Sequence, residues 1–254
     1  MSQQSPITSG MQRLWGESTP AVRLIALANI VIFGIPALAD FVGFRLLGIS
    51  LSDLLLMWGA KDNIAIAAGD QYYRFLSMMF LHGGLLHLLF NTIALTSFGS
   101  EIERIAGTQR FLGIYFIGGL LGGVASYVFT PNPAVGASGA IFALIGAEII
   151  FIWQNRAVFG ERTKQMLGGV GFTAIANIGI GFSVPNIDNM AHIGGLIGGL
   201  LCGFCLMPLL MTIEYEMGPV RIRQSRTWGW YGVLAVAISI IVVVMVVTPA
   251  FDLD

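Results

Sequence analysis

The chain has 254 residues, of which 56% are hydrophobic and only 11% charged, with a formal net charge of −1 and a mean hydropathy of +0.79. Soluble domains carry about 25% charged residues, so a soluble globular protein is excluded, and no nucleic acid is expected as a partner. Apolar runs of roughly 17–21 residues recur along nearly the whole length, the pattern of a polytopic membrane protein.

In chain order, residues 1–20 are polar and form no packed element. Seven spans follow, over residues 21–40, 85–100, 110–129, 138–153, 166–183, 191–211 and 229–250. The stretch "IPALAD" at 35–40 resembles a small-residue cleavage site, but the apolar run before it is longer than a usual signal core, so the first helix is read as retained. The loop 41–84 is too apolar for a solvated connection and too broken to span. Ser50 or Ser52 is expected to cap a short helix in it, with its leucines in the membrane interface. The loop 130–137, "TPNPAVGA", carries no charge. Residues 212–228 read as a basic linker, and 229–254 as an appended helix with a short tail. Cys202 and Cys205 lie inside the sixth span and read as small apolar packers. There is no nucleotide-binding glycine pattern, and no extramembrane segment large enough to fold alone.

Charge placement orients the chain. Arg13, Arg23, Arg104, Arg110, Arg156, Arg162, Lys164, Arg221, Arg223 and Arg226 fall on one side; Arg45, Lys61 and Arg74 fall on the other. Positive residues mark the cytoplasmic side. The N-terminus is therefore expected inside, the C-terminus outside, and the second, fourth and sixth helices begin outside.

Polar residues within lipid need a partner or a purpose. His82, His87 and His192 all fall at the outer ends of even-numbered helices, as does Ser138, so topology places His87, Asn91, Ser138 and His192 at a similar depth. About 16 residues follow Ser138 in its helix, roughly 24 Å against a hydrocarbon core of roughly 30 Å. Ser138 should thus begin its helix below the outer surface, in a water-filled cavity. Gly195, Gly199 and Gly203 share one face of the sixth helix; Gly139, Ala143 and either Gly146 or Ala147 offer a matching small face on the fourth. Small residues at that spacing let backbones approach closely, which would set Ser138 beside His192, and a histidine within reach can take a serine's proton. His87 and Asn91, four apart, share a helix face. With the Ser138 backbone N–H they would form an oxyanion hole.

The blocks "YYRFLSMMFLHGGLLHLLFN" (72–91), "GASG" (136–139) and "AHIGGLIGGL" (191–200) resemble, in order, the signatures of the rhomboid intramembrane serine proteases. The resemblance runs from about residue 21 to 211. It implies an all-α polytopic fold with a six-helix core, here followed by a seventh C-terminal helix. It also implies a Ser138–His192 dyad, an oxyanion hole of His87, Asn91 and Ser138, and no cofactor or metal. Gly136, Gly139, Gly195 and Gly199 fall in its motifs. Arg74 matches an arginine supporting the large outer loop, Glu103 an acidic residue after the second helix, and 183–190 a cap over the site. The substrates implied are transmembrane segments of other membrane proteins, cut near the outer leaflet, with small side chains at the scissile position. The setting implied is a bacterial-type plasma membrane. Two positions depart from the pattern. Phe142 stands where an aromatic hydroxyl is common, one turn after the nucleophile, and Tyr73 precedes Arg74 where tryptophan is common.

Rival readings are a catalytically silent rhomboid-like binding or quality-control protein and, at more distance, a transporter. His82 stands between loop scaffold and substrate-side contact. A three-histidine zinc site lacks a His-Glu-x-x-His motif and an outer acidic ligand. Asp188, four residues before His192, reads as a solvated aspartate rather than a triad member. Nothing in the sequence assigns Glu148 a role.

Overall fold

A computed structural model describes residues 18–185, 187–215 and 218–251. The polar N-terminal segment lies almost wholly outside the described residues, as do Asn186 of the expected cap and the C-terminal Asp254.

The first helix, α1 (Pro20–Phe41), opens with proline at its first position, where a missing N–H costs nothing. Its next two amides, of Ala21 and Val22, each donate to the Glu103 carboxylate at 3.0 Å, and the Thr108 hydroxyl donates to the same group at 2.7 Å. Glu103 therefore caps α1 from the far end of the second span, where negative charge suits a helix N-terminus.

The outer loop is more structured than its sequence suggests. A short hairpin, β1 (Arg45–Leu46) with β2 (Ile49–Ser50), leads into α2 (Leu51–Gly59), whose first turn is capped by the Ser50 hydroxyl at 3.0 Å. Then come α3 (Asn63–Ala67), α4 (Arg74–Ser77) and a 3-10 turn (Met78–Phe80). Buried Arg74 donates to the carbonyls of Ala60 and Met57 at 2.7 and 2.8 Å and to Gln71 Oε1 at 2.8 Å. It thereby satisfies carbonyls at and beyond the C-terminal end of α2 that the helix itself leaves open.

The second span runs as α5 (Leu85–Ala94), one π-helical turn (Leu95–Gly99) and α6 (Ser100–Ala106). It is longer than expected because amphipathic "SEIERIA" stays helical until Gly107 turns at φ +88°. After it come α7 (Thr108–Phe129), α8 (Ser138–Gln154), the short α9 (Arg156–Phe159), α10 (Arg162–Ser183) and α11 (Asn189–Leu206). The sixth span ends five residues earlier than expected. Pro208 forces Met207 into extended backbone (φ −68°, ψ 137°), as a residue before proline is forced.

Beyond it, the expected linker folds as an antiparallel hairpin, β3 (Leu209–Tyr215) with β4 (Gly218–Gln224). Buried Asn155 anchors it, accepting from Leu210 N at 2.6 Å and donating to the Pro208 carbonyl at 3.1 Å. Arg223 donates to the carbonyl of Ile105 at 2.6 Å. The last helix, α12 (Gly229–Phe251), is no loose appendage: Val233, Ile240 and Val244 are buried, and Thr248 meets the buried Tyr127 hydroxyl of α7 at 3.2 Å.

Among the described residues, six helices are long and apolar enough to cross a membrane, and α8 is a shorter apolar helix of 17 residues. The fold is thus all-α and polytopic. Its centre is a trio, α7, α8 and α11, packed through glycines. A methyl on Gly122 would lie 2.7 Å from the Ala191 carbonyl, and one on Gly203 2.7 Å from the Ala147 Cα. Methyls on Gly195 and Gly199 would fall onto the carbonyls of Gly139 and Ala143. Only glycine permits that approach.

Candidate active site

The start of α8 and the start of α11 are brought side by side by this glycine seam, at the same end of the trio. Ser138 is the first residue of α8 and half-buried; His192 sits in the first turn of α11 and is buried. The Ser138 Oγ lies 2.9 Å from His192 Nε2. With a proton on Nδ1, Nε2 accepts from the hydroxyl. The Nδ1 is buried and has no hydrogen-bond partner among the described residues. The Phe142 ring, one turn beyond Ser138, stacks on the His192 imidazole at 4.3 Å between centroids and 13° between planes. Stacking holds the ring plane without a hydroxyl.

The loop before Ser138 depends on Gly136, whose φ of +132° is open to glycine and strained for other residues. Its amide donates to the Met78 carbonyl at 2.9 Å. A methyl there would meet His87 Nε2 at 2.8 Å and Ser138 Oγ at 3.7 Å. The His87 and Ser138 side chains therefore flank one small space. Buried Asn91 lies one turn below His87 and donates to the His87 carbonyl at 2.9 Å. That bond uses one of two amide protons and fixes the side chain. The Ser138 N–H belongs to the first turn of α8, where amides have no acceptor within the helix, and the helix dipole there favours negative charge.

His82 is not on the His87 face of α5. It lies in the preceding turn, 5% exposed, with its ring edge-on to His87 at 5.3 Å. Burial, helped by the neighbouring His87, lowers its pKa to about 4. A cavity of about 40 Å³ between α1 and α2 is lined by Ile32, Phe33, Pro36, Ser52, Leu55, Leu56, Leu81 and His82.

Asp188 corrects the sequence reading. It is not a free solvated carboxylate: it caps α11, accepting from Ala191 N at 3.0 Å, and it also accepts from the hydroxyls of Thr130 at 3.2 Å and of Ser126. With its oxygens so engaged it does not reach His192 Nδ1. Glu148 lies buried in α8 with Oε2 unpartnered among the described residues. No group of three or more metal-binding side chains occurs among the described residues.

The rhomboid domain family matches residues 69–209, a stretch holding the outer-loop arginine, both histidine helices and the serine. This chain belongs to the rhomboid family. The rhomboid protease GluP of Bacillus subtilis (strain 168) is 44% identical over 159 residues, which cover 63% of this rhomboid and 31% of GluP. RHOMBOID-like protein 4 of Arabidopsis thaliana is 39% identical over 208 residues, 75% of this chain and 52% of that one. RHOMBOID-like protein 7 of the same plant is 33% identical over 242 residues, 83% and 75% of the two chains. The rhomboid described here thus spans a third to a half of the length of the first two relatives. Family and apolar helices together make it a multi-pass integral membrane protein.

Sequence reasoning missed the glycines of α7 at the centre of the trio, and the side chains around Lys61 that tie the outer loop to the serine loop. Gly118 and Gly122 are four apart in "GGLLGG", the same small-residue signal that was legible in the sixth span.

Proposed function

We propose that this rhomboid is a serine endopeptidase that cleaves transmembrane segments of other membrane proteins by a Ser138–His192 dyad. The observation that carries the proposal is the 2.9 Å approach of Ser138 Oγ to His192 Nε2 at the head of a helix too short to reach the surface. At 17 residues, α8 is about 25 Å long, which leaves its head below the surface of a core roughly 30 Å thick.

A substrate helix unwinds locally and presents a carbonyl to Ser138. The oxygen attacks as His192 Nε2 takes its proton, forming a C–O bond and a tetrahedral oxyanion. The free amide proton of Asn91, the His87 ring N–H and the Ser138 backbone N–H stabilise that charge, each such donor contributing about 2.7–4 kcal/mol. The imidazolium then gives its proton to the departing amine as the C–N bond breaks. Water, deprotonated by His192, attacks the acyl ester, and the proton returns to Ser138 as the acid leaves. No cofactor takes part. The charge asymmetry of the loops favours an N-terminus in the cytoplasm and a site toward the outer side, in a membrane of the bacterial plasma-membrane type. The residues carrying this chemistry fall within a six-helix catalytic core over 21–211.

A fluorophosphonate probe applied to purified protein tests the reading. Wild type is labelled, whereas Ser138→Ala and His192→Ala are not, and Ser138→Ala cuts turnover by on the order of 10³–10⁶. Folded wild type that resists the probe would point instead to a silent binding protein. Solute flux into proteoliposomes unaffected by Ser138→Ala would point to a transporter.

A further inference from the structure

Lys61 is fully buried, 0% exposed, yet among the described residues no carboxylate lies at ion-pair distance from its ammonium. Its ammonium donates to the carbonyls of Thr130 at 2.7 Å and Asn132 at 2.8 Å and to Asn63 Oδ1 at 3.1 Å, with the Ser126 carbonyl at 3.5 Å. The Ser126 carbonyl belongs to the last turn of α7 and that of Thr130 to its C-cap, an end that a cation complements. Asn63 adds a bond from Nδ2 to the Tyr127 carbonyl at 2.9 Å. The Lys61 main chain also pairs both ways with Ala134, at 2.9 and 3.0 Å, four residues before Ser138. One residue of the outer loop thus fixes both the end of α7 and the loop that delivers the serine.

The same end of α7 reaches across to the histidine helix. Ser126 and Thr130, whose carbonyls receive Lys61, direct their hydroxyls onto Asp188. Asp188 caps α11 through Ala191 N, and its carbonyl accepts from His192 N at 3.3 Å. Burial draws the Lys61 ammonium down to about 8, with Asp188 and Asp62 acting against the shift.

We propose that Lys61, Ser126, Thr130 and Asp188 are a positioning network that sets the distance between Ser138 and His192 from the outer loop. None of the four touches the reacting atoms. The network supplies alignment, and an error of 1 Å in such alignment can cost about 10²-fold in rate. The inference rests on the dyad reading for its effect on rate, but not for its effect on structure.

The test uses the full-length protein in detergent, with fluorophosphonate labelling kinetics and amide hydrogen exchange read side by side. Asp188→Ala is expected to lower the maximal labelling rate by about 10²-fold at unchanged probe affinity, and to speed exchange at residues 189–192. Asp188→Asn keeps the oxygen that caps α11 and is expected to label close to the wild-type rate. Lys61→Met, which fills the space without charge, is expected to speed exchange both at 131–138 and at 189–192. The double variant Lys61→Met/Asp188→Ala is expected to lose less than the product of the single effects, as coupled residues do. Equal losses in Asp188→Ala and Asp188→Asn would overturn the proposal. So would exchange changes in Lys61→Met confined to the outer loop. Should wild type resist the probe, the protease reading falls, and the spread of exchange in Lys61→Met still decides whether the network exists.

Discussion

Gly195→Ala tests the idea that main-chain contact sets the site. A methyl at this position would lie 2.8 Å from the carbonyl carbon and 3.1 Å from the Cα of Gly139, with the Gly139 oxygen closer still. Ordinary contact begins at 3.4 Å. The obstacles are backbone atoms of the residue next to Ser138, so no side chain can swing aside. The helices must part by on the order of 1 Å in an interior packed this densely. That moves Ser138 Oγ from 2.9 Å to beyond hydrogen-bond reach of His192 Nε2. Overpacking of this kind costs about 1–3 kcal/mol of stability, and the misalignment about 10²-fold in rate. Gly168→Ala is the matched control, since nothing lies within 4 Å of a methyl there. The assay is the fluorophosphonate labelling rate below the melting temperature of each variant. Folded Gly195→Ala that labels as fast as Gly168→Ala would refute the reasoning.

Asn91→Ala removes one oxyanion donor and should lower turnover by about 10²–10³-fold; a change confined to substrate affinity would remove Asn91 from that role. Acidification should destabilise the fold through His82, whose burial lowers its pKa to about 4 from 6.5. Between those values the unfolded chain takes up a proton that the native state refuses, so stability falls as pH falls, by up to about 3 kcal/mol. Thermal melts at pH 7.5 and 4.5 read this loss, and His82→Phe should flatten the difference; an equal slope in the variant would rule the linkage out. An epitope tag after residue 254 should be protected from protease in inverted vesicles, and digestion there would reverse the assigned topology.

What the sequence disclosed followed periodicity and spacing. The spans were legible because lipid tolerates long apolar runs, and the helix faces because Gly195 and Gly199, or His87 and Asn91, repeat every four residues. Ser138 and His192 were legible as polar residues at the heads of apolar helices. Long-range polar contacts left no such trace. Lys61 looks like any loop lysine until Thr130 and Asn132 fold over it, and Asp188 looks solvated until α7 ends beside it. The hairpin after Pro208 was masked by its charge, because basic residues at a membrane face read as a connection. Glu148 is buried without an assigned partner, and nothing in the structure explains it.

The seam of Gly122, Gly139, Gly195 and Gly199 has a consequence for how the protein tolerates change. Residues without side chains have no rotamers to populate, so their mutual spacing has no soft degree of freedom, and ordering them costs no side-chain entropy. Drift in sequence is therefore channelled outward. On α10, glycines at 168, 169, 171 and 179 have open space around them and leave room for larger apolar side chains, while the three helices at the centre have no such room.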